Sequence, residues 1–386
     1  NYIVVYNLPN LGITPQFLGT AGQTPATQLT FLYNTVLNTG LAGLGDGIIP
    51  INTFGLIEEI IANPALYGFT TVTGQACGVG SSSVACGPAG SGLPYTYAPG
   101  TNDTYLFADG VHPTGAAHAM LANVVISTIA APVQFSMAGE AGIQQNEAHV
   151  RAYTDELMAD FGLDRGVGSV RGYATVQYGD YDYDASAAVP GASADGMTLS
   201  LGANWRASEN VYWGLALSLG NHDTDTGMGG IDGRGVLGSL HGTLRFGGGG
   251  YVHGALTGGS TSLDIKRDIV LGPATRTEIG STNASLFGGE IALGWLFGDA
   301  GGLQHGPFVS ATYVQQDVDG YAEEAGSATS MNFTGFERDS MVARAGYQLM
   351  GAFGTDGAIR PYVRVAYNEE SEDDQVFVNA GSNSMN

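Results

Sequence analysis

From Val167 onward the chain alternates. Met197, Leu199, Leu201, Ala203 and Trp205 share one face, and Thr198, Ser200, Gly202, Asn204 and Arg206 the other. Val211, Trp213, Leu215, Leu217 and Leu219 alternate in the same way with Tyr212, Gly214, Ala216, Ser218 and Gly220. The pattern returns along 287–297, 341–353 and 363–367. A period of two with one clean apolar face predicts strands, about nine of them and the start of a tenth.

Two environments produce such faces. A soluble sandwich buries the apolar rows against a second sheet. A membrane barrel turns them to lipid and keeps the small polar rows inside. Aromatic residues near the strand ends favour the barrel, as does the Gly, Ser, Thr and Arg character of the other face. The connections alternate between short ones (207–210, 247–250) and longer acidic ones (180–195, 223–232, 369–374). We therefore expect an antiparallel outer-membrane β-barrel with strands from 167. The last residues, Ser384-Met385-Asn386, read as a loop and not as a closing strand, so the barrel is expected to be incomplete.

The residues before the barrel have another rhythm. Residues 137–163 are rich in Ala, Glu, Gln and Met without Pro, and predict one helix ending at Gly162. Its faces are mixed, which calls for polar surroundings. Inward Arg206, Arg245, Arg344 and Arg364 are positioned to pair with Glu147, Asp155 or Glu156 and hold it as a plug; separately hydrated lumen charges are the other reading.

Residues 1–132 mix strand and helix signals and predict an α/β layer fold. Tyr2–Tyr6 reads as a buried strand, which places the true N-terminus upstream. Leu29, Leu32, Tyr33, Val36, Leu37 and Leu41 form one helical face, Asn52 caps a helix over 54–63, and a last helix runs from about Pro113 to Ile129. The expected division is 1–132 and 133–386. No run of about 18 uncharged apolar residues is evident, and Leu121–Val133 reads as a core helix.

Composition narrows the classes. The 386 residues include 61 Gly without a three-residue period, which excludes collagen, and 44% hydrophobic residues, which excludes disorder. Thirteen Lys+Arg against 36 Asp+Glu give a net charge of −23, which excludes a nucleic-acid partner. Cys77 and Cys86, in a Gly- and Ser-rich loop, predict a short disulfide and an oxidising compartment, with two free thiols as the alternative.

One motif carries chemistry. In Asp109-Gly110-Val111-His112-Pro113-Thr114 an acid and an imidazole three apart can meet across a Gly turn. The carboxylate would fix the imidazole tautomer and leave its other nitrogen free to accept a serine proton. The plainer alternative is a capped turn with a surface His. His112 and His118 lack a third metal ligand, and Asp180, Asp182 and Asp184 read as a solvated acidic stretch or a calcium site.

Phe107–Thr114 closely resembles the last block of GDSL (SGNH) esterases and lipases, and Val4–Pro15 looks like the segment after that family's third block. Passenger, helix and barrel together resemble GDSL esterase autotransporters: outer-membrane proteins displaying an esterase on a 12-stranded barrel with a helix in its lumen. The resemblance implies a surface-displayed serine esterase for carboxylic, lipid-like esters, with Asp109 the triad acid and His112 the general base. It implies outer-membrane lipid, an ester substrate and the barrel-assembly machinery as partners, a monomer, and no metal or organic cofactor. The family's G-D-S nucleophile block and its oxyanion-hole Gly and Asn have no counterpart here, and Ser127 and Ser136 lack a nucleophile turn. The chain is thus expected to be a fragment without its catalytic serine, inactive by itself. The alternatives are a barrel carrying a non-catalytic adhesion or display domain and a soluble all-β structural protein.

Overall fold

The structure is a computed structural model that describes residues 2–44, 47–161, 165–185, 191–299, 302–353, 359–371 and 376–382. The expected helix end at Gly162, the acidic residues 372–374 and the terminal loop 384–386 lie outside them.

The α/β part opens with β1 (Ile3–Tyr6) and α1 (Gln23–Leu41), followed by β2 (Ile48–Ile51), which pairs parallel to β1. Next come α2 (Thr53–Ala62), β3 (Thr71–Gln75), the short parallel pair β4 (Cys86–Pro88) and β5 (Tyr95–Tyr97), and α3 (Thr101–Thr104). β6 (Tyr105–Phe107) pairs parallel with β3. Asn52 caps α2 as its position predicts, its Oδ1 accepting from Gly55 N at 3.0 Å.

Three expectations are corrected. β1 is not buried: Tyr2 and Ile3 are exposed, because β1 has β2 as its one strand partner among the described residues. α1 turns its predicted apolar face outward: Leu29, Leu32, Tyr33 and Val36 are exposed while Ala26, Thr30 and Asn34 are buried. Its polar face wins because Asn34 satisfies both the N–H and the carbonyl of Leu8, each at 2.8 Å. A part-buried backbone pair left unbonded would cost more than an exposed leucine.

The third concerns the helices. α4 (Gly115–Ser136) does not stop near Ile129 but runs through Pro132; a 3-10 turn (Met137–Gly139) joins it to α5 (Glu140–Phe161). Helix interiors resist Pro, but here tertiary packing compensates. Ala131 is buried, and Phe135 sits in an aromatic box of Tyr321, Phe333 and Phe336 at 4.8–5.4 Å. The run Gly115–Phe161 is also long and apolar enough to cross a membrane. Within it, α4 lies along the α/β core, and α5 lies against six strands of the sheet that follows.

That sheet contains β7 (Val170–Tyr183), β8 (Ala192–Arg206), β9 (Val211–Asp225), β10 (Gly229–Phe246), β11 (Gly250–Leu271), β12 (Ala274–Trp295) and β13 (Gln304–Val318). A small accessory sheet combines β14 (Tyr321–Ala322), β15 (Met331–Phe333) and β18 (Ala380–Ser382). β16 (Phe336–Met350) and β17 (Tyr362–Glu370) complete nine antiparallel strands in sequential order. The acidic stretches read as loops are partly strand: β9 reaches Asp225 and β10 begins at Gly229.

Burial is inverted relative to a sandwich. In β8, Met197, Leu199, Leu201 and Trp205 are 38–50% exposed while Thr198, Ser200 and Asn204 are at most 5% exposed. The same inversion holds in β9, β12 and β16. Oily rows outside and polar rows around a central helix are what a hydrocarbon solvent selects. Trp205 and Trp213 meet edge-on at 5.1 Å, and Phe246 and Trp295 at 6.1 Å, forming an aromatic belt beside the short turns.

Candidate functional site

The Asp–His motif lies between β6 and α4. Ala108 N donates to the His112 carbonyl at 2.8 Å, Thr114 N to the Leu106 carbonyl at 3.0 Å, and Thr114 Oγ1 to the Tyr105 carbonyl at 2.7 Å. These bonds close a tight turn. From outside it, Gln16 N donates to the Gly110 carbonyl at 2.9 Å, and a Cβ at Gly110 would crowd Gln16.

Within the turn Asp109 is buried. Its Oδ1 accepts from Val111 N at 3.0 Å and His112 N at 2.9 Å; its Oδ2 accepts from Ser83 N at 2.7 Å. His112 Nδ1 lies 2.9 Å from both oxygens. Burial opposes ionisation of Asp109, but the backbone donors Val111, His112 and Ser83 and the imidazole outweigh it. The carboxyl is held well below the usual carboxylate range.

The His112 side chain is 58% exposed. With Nδ1 committed to the carboxylate, Nε2 is the basic nitrogen and faces outward. Among the described residues no hydroxyl is hydrogen-bonded to it. The structure thus brings the two predicted site residues together and adds a third participant, the Ser83 backbone, that no residue type announces.

The other candidates have structural roles. Cys77 and Cys86 are disulfide-bonded. Ser127 is buried and its Oγ accepts from Arg267 at 2.9 Å; Ser136 Oγ donates to the Val133 carbonyl. His118 is exposed on α4. No group of three or more His, Cys, Asp or Glu gathers as a metal site among the described residues.

Of the lumen arginines, Arg344 approaches Glu147 at 3.8 Å. Arg206 lies over Tyr212 and Arg245 over Phe161 of α5, while Arg364 stacks on Phe308 at 4.0 Å and also interacts electrostatically with Asp155 of α5. The stronger helix contacts are ones the pattern did not single out: Arg338–Glu140 at 2.9 Å, Arg171–Glu156 at 3.1 Å, Arg165–Asp160 at 2.8 Å and Tyr153 to Glu290 at 2.8 Å. Which lumen arginine faces which turn of α5 depends on the helix's rotation in the lumen, and no spacing in the sequence encodes that.

An oily-outside, polar-inside antiparallel sheet wrapped on a helix defines an outer-membrane translocating β-domain, here with an α/β passenger whose surface presents a carboxylate-oriented imidazole. The chain belongs to the autotransporter family: the model of the autotransporter beta-domain matches residues 172–386. Residues 1–125 match that of the GDSL-like Lipase/Acylhydrolase. Esterase EstA of Pseudomonas aeruginosa is 30% identical over 404 residues, covering 100% of this chain and 59% of that protein. Lipase 1 of Photorhabdus luminescens is 27% identical over 343 residues, covering 87% of this chain and 49% of that protein. The chain therefore spans about half to three fifths of the length of these relatives. The translocator domain of autotransporter NalP from Neisseria meningitidis is similar at a TM-score of 0.49 and 18% identity, over 62% of this chain and 83% of that one.

Proposed function

We propose that this chain is the larger part of a surface-displayed serine esterase. Its passenger, residues 1–132, supplies the acid and the base of a Ser–His–Asp triad; residues 133–386 anchor and export it. The observation that carries the reading is the Asp109–His112 pair at 2.9 Å with its second nitrogen facing solvent, in a segment that matches the GDSL-like family.

The geometry allows the acyl-transfer steps. His112 Nε2 accepts the proton of a serine hydroxyl as its oxygen attacks the ester carbonyl. Asp109, kept ionised, stabilises the imidazolium that forms, and the imidazolium returns the proton to the departing alcohol. Water then repeats the sequence on the acyl-enzyme. The nucleophile and the oxyanion donors come from outside the residues around His112 described above, so the 386-residue chain alone should not turn over. The exposure of the site suits an ester presented from a lipid or micellar surface. Outer-membrane lipid and the barrel-assembly machinery are the partners this role requires, and a monomer suffices for it.

The test is hydrolysis of p-nitrophenyl esters by the full-length protein. His112→Ala should abolish turnover while heat-modifiable gel mobility, the mark of a folded barrel, stays intact. Turnover at the parental rate in that variant would refute the assignment.

A further inference from the structure

We infer that the backbone N–H of Ser83, presented by the loop that Cys77–Cys86 closes, is a positioning donor for Asp109, and that the disulfide keeps it in place. The inference rests on the acid–base reading above and adds to it a part that residue types do not reveal.

The donors to Asp109 divide into two kinds. Val111 N and His112 N belong to the carboxylate's own turn, two and three residues on, and both reach Oδ1. Ser83 N comes from 26 residues away and reaches Oδ2 at 2.7 Å. Rotation about the Cβ–Cγ bond moves both oxygens, so the donor on Oδ2 adds to the two on Oδ1 in resisting it, and both oxygens lie 2.9 Å from His112 Nδ1.

Packing does not hold the Ser83 loop. Val79 is 93% exposed and Val84 87%. What fixes it is its two ends. At one, Ala76 N donates to the Phe107 carbonyl at 3.0 Å and Cys77 N to the Ala108 carbonyl at 2.9 Å, so Cys77 is tied to the residues just before Asp109. At the other, the disulfide ties Cys86, the first residue of β4, back to Cys77. A short flexible loop rich in Gly and Ser has many alternatives to the one that aims Ser83 N–H at a buried carboxylate, and a covalent closure removes most of them.

One substitution isolates the donor. Ser83 opens a 3-10 turn (Ser83–Ala85), the kind of first-turn position that accepts Pro. Ser82 before it is extended, with φ −119° and ψ 126°, the backbone that a residue preceding Pro prefers. Ser83→Pro therefore deletes one N–H and leaves the disulfide in place. In the full-length enzyme it should lower kcat roughly tenfold at unchanged KM, the order expected for one hydrogen bond to a charged group. Ser83→Ala, which keeps the N–H, should restore the parental kcat.

A second measurement needs no activity and uses this chain. Amide exchange at Ser83 should be slow in the oxidised protein and rise roughly tenfold or more when the disulfide is reduced. Exchange that is equal in the two forms, or a folded Ser83→Pro enzyme with parental kcat, would overturn the inference. If Ser83→Pro fails to fold, the exchange comparison decides. If His112→Ala stays active, the triad reading fails while the exchange result still reports on the loop.

Discussion

Asp109 shows how much a single carboxylate can owe to neighbours of no particular type. Its ionisation is secured by backbone donors and one imidazole against the cost of burial. The folded carboxyl is depressed, so its stabilising contribution is complete above the unfolded value of about 4 and drains away as the pH falls toward the folded one. The turn 109–114 should therefore open reversibly in acid below about pH 4, with faster amide exchange at Val111 and His112, while the barrel retains its strand circular dichroism. Asp109→Asn should abolish this acid-triggered opening; if the variant opens over the same pH range, the carboxylate is not its cause. The spacing of Asp and His made the pair legible. The donors were not, because an N–H belongs to every residue but Pro, and only the folded chain decides which ones converge.

At the scale of the element, α5 is a polar helix that the surrounding sheet makes stable. The mixed faces that would leave it unsupported in isolation match a lumen lined with small polar residues. Gly220 and Gly235 let it approach the wall: a side chain at either would overlap the Gln145 amide, and Gln145 Nε2 donates to the Gly235 carbonyl at 3.1 Å. Gly235→Leu should push the helix off the wall, and Arg344→Glu should repel Glu147. Both should raise the single-channel conductance of the full-length protein in planar bilayers; parental conductance in both would show that α5 does not seal the lumen. The helices also mark a limit of pattern reading. In α1 the apolar stripe lost to two part-buried hydrogen bonds at Leu8, and in α4 Pro132 was overruled by the packing of Phe135. Each outcome depends on neighbours remote in sequence.

At the scale of the whole molecule, β11 and β12 do more than span. They rise past the other strands as a 22-residue pair, and Ile269 and Leu271 enter the same core as Ile57, Ile60, Leu106 and Phe107 of the passenger. Arg276 bonds Glu59 at 2.5 Å and Tyr67 at 2.8 Å, and Asn123 Nδ2 donates to the Val270 carbonyl at 2.9 Å. The hairpin thus supplies part of the passenger's own core. Leu271 is fully buried there, so Leu271→Ala should cost the passenger about 2–5 kcal/mol. Urea unfolding followed by near-UV circular dichroism of the passenger would measure it, and a loss below about 1 kcal/mol would mean that the hairpin only rests against the domain.

The alternation of oily and small polar residues determined the strands, and the aromatic belt and turn lengths pointed to lipid. The Asp–His spacing located the candidate site, and the cysteine pair located a closed loop without linking it to that site. These signals are local or periodic, and a chain carries them wherever it folds. Tertiary structure decided which face of α1 is covered, how far α4 runs, which arginines meet α5, and that a barrel hairpin completes the passenger core. It also decided that Ser83 reaches Asp109. Each of these is a contact between segments far apart in the chain, chosen by which buried polar groups and apolar surfaces could be satisfied together, and no residue holds that information alone.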